Sequence, residues 1–217
     1  DDNGVITQVE KHIDWASAGP DVTLLDAKSR TVTPGFIDTH VHFRDPGQTH
    51  KEDIHTGMRA AAAGGYTTVV CMANTKPVCD SLETLEYAQQ TAAQDPLIHV
   101  LQACAITKGL KGQELTDFAA LKAAGAPGFT DDGIPLRDAS LVMRAMEQAV
   151  KNDTLLSFHE EAPEFVDSPG VNFGSAAAAK FGVPGARPIS EEVMIARDIA
   201  LALRSGARVV FQHGSSA

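Results

Sequence analysis

The sequence predicts an α/β fold, a TIM-type (β/α)8 barrel of which about six β/α units are present. Three observations carry that expectation. From residue 35 onward, short β-rich apolar runs alternate with segments of helical periodicity. Runs such as Thr67-Thr68-Val69-Val70-Cys71 are apolar on both faces, as strands of a parallel sheet covered by helices must be. These two features fit an open doubly wound sheet as well as a barrel. The third separates them: polar residues recur at the C-terminal ends of nearly every predicted strand, where barrel enzymes assemble their sites.

Residues 1–33 read as part of a small β-subdomain, with short strands at 5–9 and 22–25 joined by a polar loop and no crossover helix. Residues 34–217 are expected to form the barrel domain, incomplete at its C-terminus. Its strands are expected at 36–43, 67–72, 99–105, 126–130, 155–159 and 208–213, and its helices near 50–63, 82–93, 114–124, 138–151 and 191–204. The last helix has Ser190 as N-cap, Glu191 and Glu192 in its first turn, and Gly206 just past its end. The stretch 161–188, rich in Gly, Pro and Ala, is irregular, and loops of that length in a compact domain are usually functional or mobile.

A chain of 217 residues, 43% of them hydrophobic, supports one sizeable core. Eighteen Lys+Arg against 28 Asp+Glu leave a formal charge of -10, which argues against nucleic-acid and anionic-membrane partners. No apolar run approaches the roughly 20 residues of a bilayer span. The start Asp1-Asp2-Asn3-Gly4 lacks the basic and apolar features of a signal peptide. Cys71, Cys79 and Cys104 form no CxxC pair and are odd in number, which fits a reducing cytoplasm better than a disulfide framework.

The chemistry begins at His40 and His42. Alternation along a strand points both imidazoles the same way, and two imidazoles on one rigid strand chelate zinc well at Zn–N distances of about 2.0–2.1 Å. Eight histidines in 217 positions yield about 0.3 such pairs by chance, so spacing alone does not settle the matter.

The context does more. Pro34-Gly35-Phe36-Ile37-Asp38-Thr39-His40-Val41-His42-Phe43-Arg44 resembles the segment that opens the barrel of the cyclic amidohydrolases, which include dihydroorotases, hydantoinases and allantoinases. Met72-Ala73-Asn74-Thr75-Lys76-Pro77 is similar to the Met-Pro-Asn-Thr-x-Pro of dihydroorotases, with Ala73 in place of Pro. Thr130-Asp131-Asp132-Gly133 resembles the motif of class I bacterial dihydroorotases, whose second Asp stands where many relatives have a bridging carboxylated lysine. Taken alone, Asp-Asp-Gly is an ordinary turn. His159 and His213 close the fifth and sixth predicted strands. A lone strand-end histidine is more often structural, but these two match the family's second pair of metal ligands. Two departures stand beside them: Glu160 where class I members usually have Cys, and Gly214-Ser215 where they have a β-branched residue and Ser.

The resemblance implies one or two zinc ions held by His40, His42, Asp132, His159 and His213, with Asp132 as the bridge and Asp131 in a supporting role. It implies reversible closure of N-carbamoyl-L-aspartate to dihydroorotate, with His42, Arg44 and Asn74 binding substrate. A surface ion pair with Asp45 is the competing reading of Arg44. The family's proton-shuttling Asp, at the end of the eighth strand, is expected beyond Ala217. A homo-oligomer and aspartate transcarbamoylase are the expected protein partners. Two other readings stay open, a hydantoinase-type cyclic amidase and a catalytically silent partner of the transcarbamoylase. His12, His50, His55 and His99 match nothing in the pattern and read as surface or packing residues.

Overall fold

The computed structural model describes residues 4–14 and 19–216; Asp1-Asp2-Asn3, positions 15–18 of the predicted N-terminal loop, and Ala217 lie outside the described residues. The chain divides into two compact units, Asp1–Pro34 and Gly35–Ala217.

Among the described residues of the first unit there is no strand, so the strands expected at 5–9 and 22–25 do not form. Ile6, Val9, Leu24 and Leu25 are exposed there. Two short strands without a third to pair with are at best marginal in water, which is the physical reason the local pattern fails.

The second unit alternates strand and helix throughout. Its strands are β1 (Phe36–Val41), β2 (Tyr66–Cys71), β3 (His99–Gln102), β4 (Phe129–Thr130), β5 (Leu155–Phe158) and β6 (Arg208–Phe211). The helices are α1 (Ile54–Ala63), α2 (Leu82–Ala93), α3 (Phe118–Ala123), α4 (Ala139–Lys151), α5 (Ala176–Phe181) and α6 (Ile189–Ser205). All strand pairs are parallel, in the orders β1-β2-β3 and β4-β5-β6. A parallel bridge from Cys104 to Phe129 joins the two groups, so six consecutive strands run side by side.

Capping explains where most helices begin. The side chains of Asp53, Ser81, Asp117, Asp138 and Ser175 each accept a backbone N–H from the first turn of α1 to α5 in turn. α4 then buries Leu141, Val142, Ala145, Met146 and Ala149, the stripe that a 3.6-residue period predicts. The main core lies between these helices and the strands, with Phe118 stacked on Phe129 at 4.0 Å between ring centroids.

Several expected boundaries shift: β3 ends at Gln102 rather than 105, β4 covers only Phe129–Thr130, α1 and α3 begin at Ile54 and Phe118 rather than near 50 and 114, and α6 and the 161–188 stretch differ as well. α6 begins at Ile189, after Pro188 rather than Ser190, because proline's fixed φ already suits a helix start. Ser190 is buried inside the first turn instead. Gly206 does end that helix, at φ +76°. Within 161–188 the structure forms α5 and a short 3-10 turn at Pro163–Phe165, so this loop is more ordered than its composition indicates. The expected strand ends at 42–43, 159 and 212–213 fall one or two residues past the hydrogen-bonded ladders.

One packing contact ties the helical layer to the motif on β1. A Cβ built at Gly57, inside α1, would lie 2.4 Å from two ring carbons of the buried Phe43. Gly57→Ala is therefore expected to destabilise despite its better helix propensity, since overpacking costs about 1–3 kcal/mol against a propensity gain of about 1. Urea unfolding checks this, and Phe43→Leu in the same chain should restore the loss.

Candidate metal centre

Four imidazoles converge on one carboxylate, the five side chains coming from four separate strand ends. His40 and His42 come from β1 and the residue just past it, Asp132 from the turn after β4, His159 from the end of β5, and His213 from two residues beyond β6. Asp132 Oδ1 lies 3.5 Å from His40 Nε2, 3.8 Å from His159 Nδ1 and 3.5 Å from His213 Nε2, while Oδ2 lies 3.3 Å from His42 Nε2. Two ligand clusters result, His40–His42–Asp132 and Asp132–His159–His213, each with its donor atoms within 4.8 Å of one another. Asp132 belongs to both, which is the geometry of a bridge. His50, His55 and His99 take part in neither.

The distances test whether a metal fits. His40 Nε2 and His42 Nε2 are 3.2 Å apart, and His159 Nδ1 and His213 Nε2 are 3.1 Å apart. Two ligands at about 2.05 Å from a tetrahedral zinc stand about 3.3 Å from each other. The nitrogen–oxygen distances of 3.3 to 3.8 Å are long for N–H···O hydrogen bonds but match edges of such a coordination shell. The donor chemistry agrees: four imidazoles and one carboxylate suit a borderline cation such as zinc. The carboxylate forms the buried floor at 4% exposure, and the histidines form a rim at 18–46%.

Surrounding groups set the tautomers. His42 Nδ1 lies 3.0 Å from Asn74 Oδ1, so it donates there and leaves Nε2 with its lone pair toward Asp132. Asn74 Nδ2 in turn donates to Asp132 Oδ2 at 3.2 Å. Expected as a substrate contact, Asn74 also tethers a histidine of β1 to the central carboxylate. His159 Nε2 faces Glu161 at 3.7 Å, leaving Nδ1 for the centre. Burial, outweighing Asp132, holds the His40 pKa below the ordinary histidine value, which favours the neutral, metal-binding form.

Asp131, buried beside Asp132, accepts from the Thr107 backbone N–H at 3.0 Å and from the Thr107 hydroxyl, and burial pushes its pKa up to about 6. It anchors the turn to the loop after β3. The turn after His213 is held from α6: Glu191 accepts from the backbone N–H groups of Ser215 and Ser216. Arg44 is half-buried, with φ +60°, and forms no ion pair within 4 Å among the described residues. Its expected competitor, Asp45, is buried and accepts instead from the Tyr87 hydroxyl at 3.0 Å.

A cavity of about 550 Å³ opens beside His159 and His213, walled by Asn172, Phe173 and Arg187 of the 161–188 loop. Sequence reasoning named neither these walls nor Gln212, buried one residue before His213. The wall residues carry no motif, and only the ordering of the loop brings them to the centre.

Comparison with known proteins places this geometry in a family. A family profile described as Dihydro-orotase-like matches residues 29–216. The dihydroorotase of Clostridioides difficile (strain 630) is 54% identical over 193 residues, covering 89% of this chain and 45% of the relative. That of Clostridium acetobutylicum is 55% identical over 196 residues, covering 90% and 46%. That of Streptococcus thermophilus is 47% identical over 216 residues, covering 100% and 50%. The chain thus spans about half the length of the curated relatives it matches. Among solved structures, the L-hydantoinase from Arthrobacter aurescens superposes with a TM-score of 0.65 at 18% identity, covering 82% of this chain and 41% of that one. At that identity the likeness speaks for the fold alone.

Proposed function

The chain belongs to the dihydro-orotase-like family, and from that premise we propose that it is the metal-binding portion of a zinc-dependent dihydroorotase, which interconverts N-carbamoyl-L-aspartate and dihydroorotate. The observation that carries the reading is Asp132, one buried carboxylate shared by two histidine pairs. Held by His40, His42, Asp132, His159 and His213, zinc would supply a lowered pKa for bound water and polarisation of an amide carbonyl. The residues of this chain do the rest by position. His40, His42, His159 and His213 present lone pairs to the centre. Asn74 fixes the His42 tautomer and is the proposed second substrate contact beside Arg44. Arg44, without a protein counter-charge among the described residues, is left to pair with the substrate carboxylate.

The consecutive parallel order of six strands supports reading them as six units of a (β/α)8 barrel. Three free, buried cysteines support a reducing compartment, the cytoplasm. Among the described residues no helix is long and apolar enough to cross a membrane. Val193 and Leu203 leave apolar surface on α6 for protein contact, in keeping with a homo-oligomer or with aspartate transcarbamoylase as partner.

The test uses the protein at its natural length. It should open dihydroorotate and leave a 5-substituted hydantoin essentially untouched, and a chelator should abolish the activity until zinc is restored. Preference for the hydantoin would overturn the substrate; activity that survives complete metal removal would overturn the mechanism.

A further inference from the structure

Beneath the metal centre lies a second polar layer. Gln212 is 7% exposed, and its side-chain Nε2 stands 2.9 Å from Thr130 Oγ1, 2.8 Å from Ser157 Oγ and 3.6 Å from Met72 Sδ. Its Oε1 is buried with no hydrogen-bond partner among the described residues. A buried amide whose acceptor oxygen has no partner carries a desolvation cost, and its value lies in the two hydroxyls that its Nε2 holds.

The placement explains what the amide does. Thr130 closes β4 two residues before Asp132, and Ser157 lies on β5 two residues before His159, so each hydroxyl is within two positions of a candidate ligand on its own segment. Gln212 itself immediately precedes His213. One side chain therefore links the three strands that carry Asp132, His159 and His213, at the level just below those ligands. β1, which carries His40 and His42, is not among its partners.

We propose that Gln212 is a positioning residue: by tying Thr130 and Ser157 to the end of β6, it sets the spacing of the Asp132–His159–His213 cluster and leaves the His40–His42–Asp132 cluster largely independent of it. This rests on the reading that both clusters hold metal. Ligands on separate strands bind a small cation only if those strands hold register to a few tenths of an ångström, and hydrogen bonds to a shared amide supply that constraint.

The experiment measures zinc stoichiometry and stepwise affinity, by competition with a chromophoric chelator, in the natural-length protein and in Gln212→Leu. The unaltered protein should bind two zinc ions. Gln212→Leu should keep one ion at its parental affinity and weaken the other about 10–100-fold, whatever stability is lost with the two hydroxyl contacts. Ser157→Ala, a smaller change if the leucine variant folds poorly, should weaken the same step, and adding it to Gln212→Leu should weaken it no further. A parent that binds fewer than two zinc ions overturns the two-metal reading and this proposal with it. A two-zinc parent whose Gln212→Leu or Ser157→Ala variant keeps both affinities overturns the positioning role alone. So does equal loss of both ions together with a lowered Tm, which marks Gln212 as merely structural.

Discussion

Asp132→Ala should empty both halves of the centre at once and lower kcat by about four orders of magnitude or more. The loss follows from position. Among the described residues Asp132 is the one carboxylate common to the two histidine clusters, and it is 4% exposed beneath four imidazoles. Removing it leaves neutral histidines to share two divalent cations, with no bridging anion to offset the repulsion between them. Metal assistance to an amide hydrolysis is worth several kcal/mol, and about 5.5 kcal/mol corresponds to 10⁴ in rate. His213→Ala is the control. His213 belongs to one cluster only, so that variant should retain the ion held by His40, His42 and Asp132. Metal analysis beside initial rates checks both. Two ions retained by Asp132→Ala would refute the bridge.

Strand-end placement marked His40, His42, His159 and His213 as candidates, but a lone strand-end histidine is more often structural, and the family resemblance is what singled these four out; the structure brings them together around Asp132. Asp132 was harder, since Asp-Asp-Gly is also a turn, and a family resemblance separated it from Asp131. The structure gives the pair different surroundings: Asp131 faces Thr107, whereas Asp132 faces the histidines. What no local pattern carried were the contacts between distant segments. The tether from Asn74 to His42 spans 32 positions, and that from Gln212 to Thr130 spans 82. Nor could periodicity show that apolar runs near the N-terminus lack a strand partner among the described residues, because pairing belongs to the sheet and not to the strand. α5 went unseen because Ala176–Phe181 sits inside a Gly- and Pro-rich stretch, where two flanking turns outweigh six residues of good helix former.

Arg44→Ala should raise KM for dihydroorotate by about 10²–10³ while metal content stays at the parental value. The competing role for Arg44, a surface pair with Asp45, is not formed: Asp45 is buried, accepting from Tyr87 and at 3.5 Å from the Ile54 N–H, while Arg44 has no ion pair within 4 Å among the described residues. A half-buried guanidinium two residues from a metal-site histidine, in an acidic chain of net charge -10, is left with a carboxylate ligand as its natural partner. Two charge-assisted hydrogen bonds of about 1.5–3 kcal/mol each would give a loss of about 10²–10⁴, and the expected one lies at the lower end of that range. Arg44→Lys should recover only part of it, because an ammonium offers a point charge where the guanidinium offers a fork. The split between KM and metal content is the decisive readout. A residue that merely shaped the β1 turn would lower zinc affinity along with substrate affinity, since His42 lies two positions away. An unchanged KM in Arg44→Ala would remove Arg44 from the substrate site and require another cation to balance the carboxylate there.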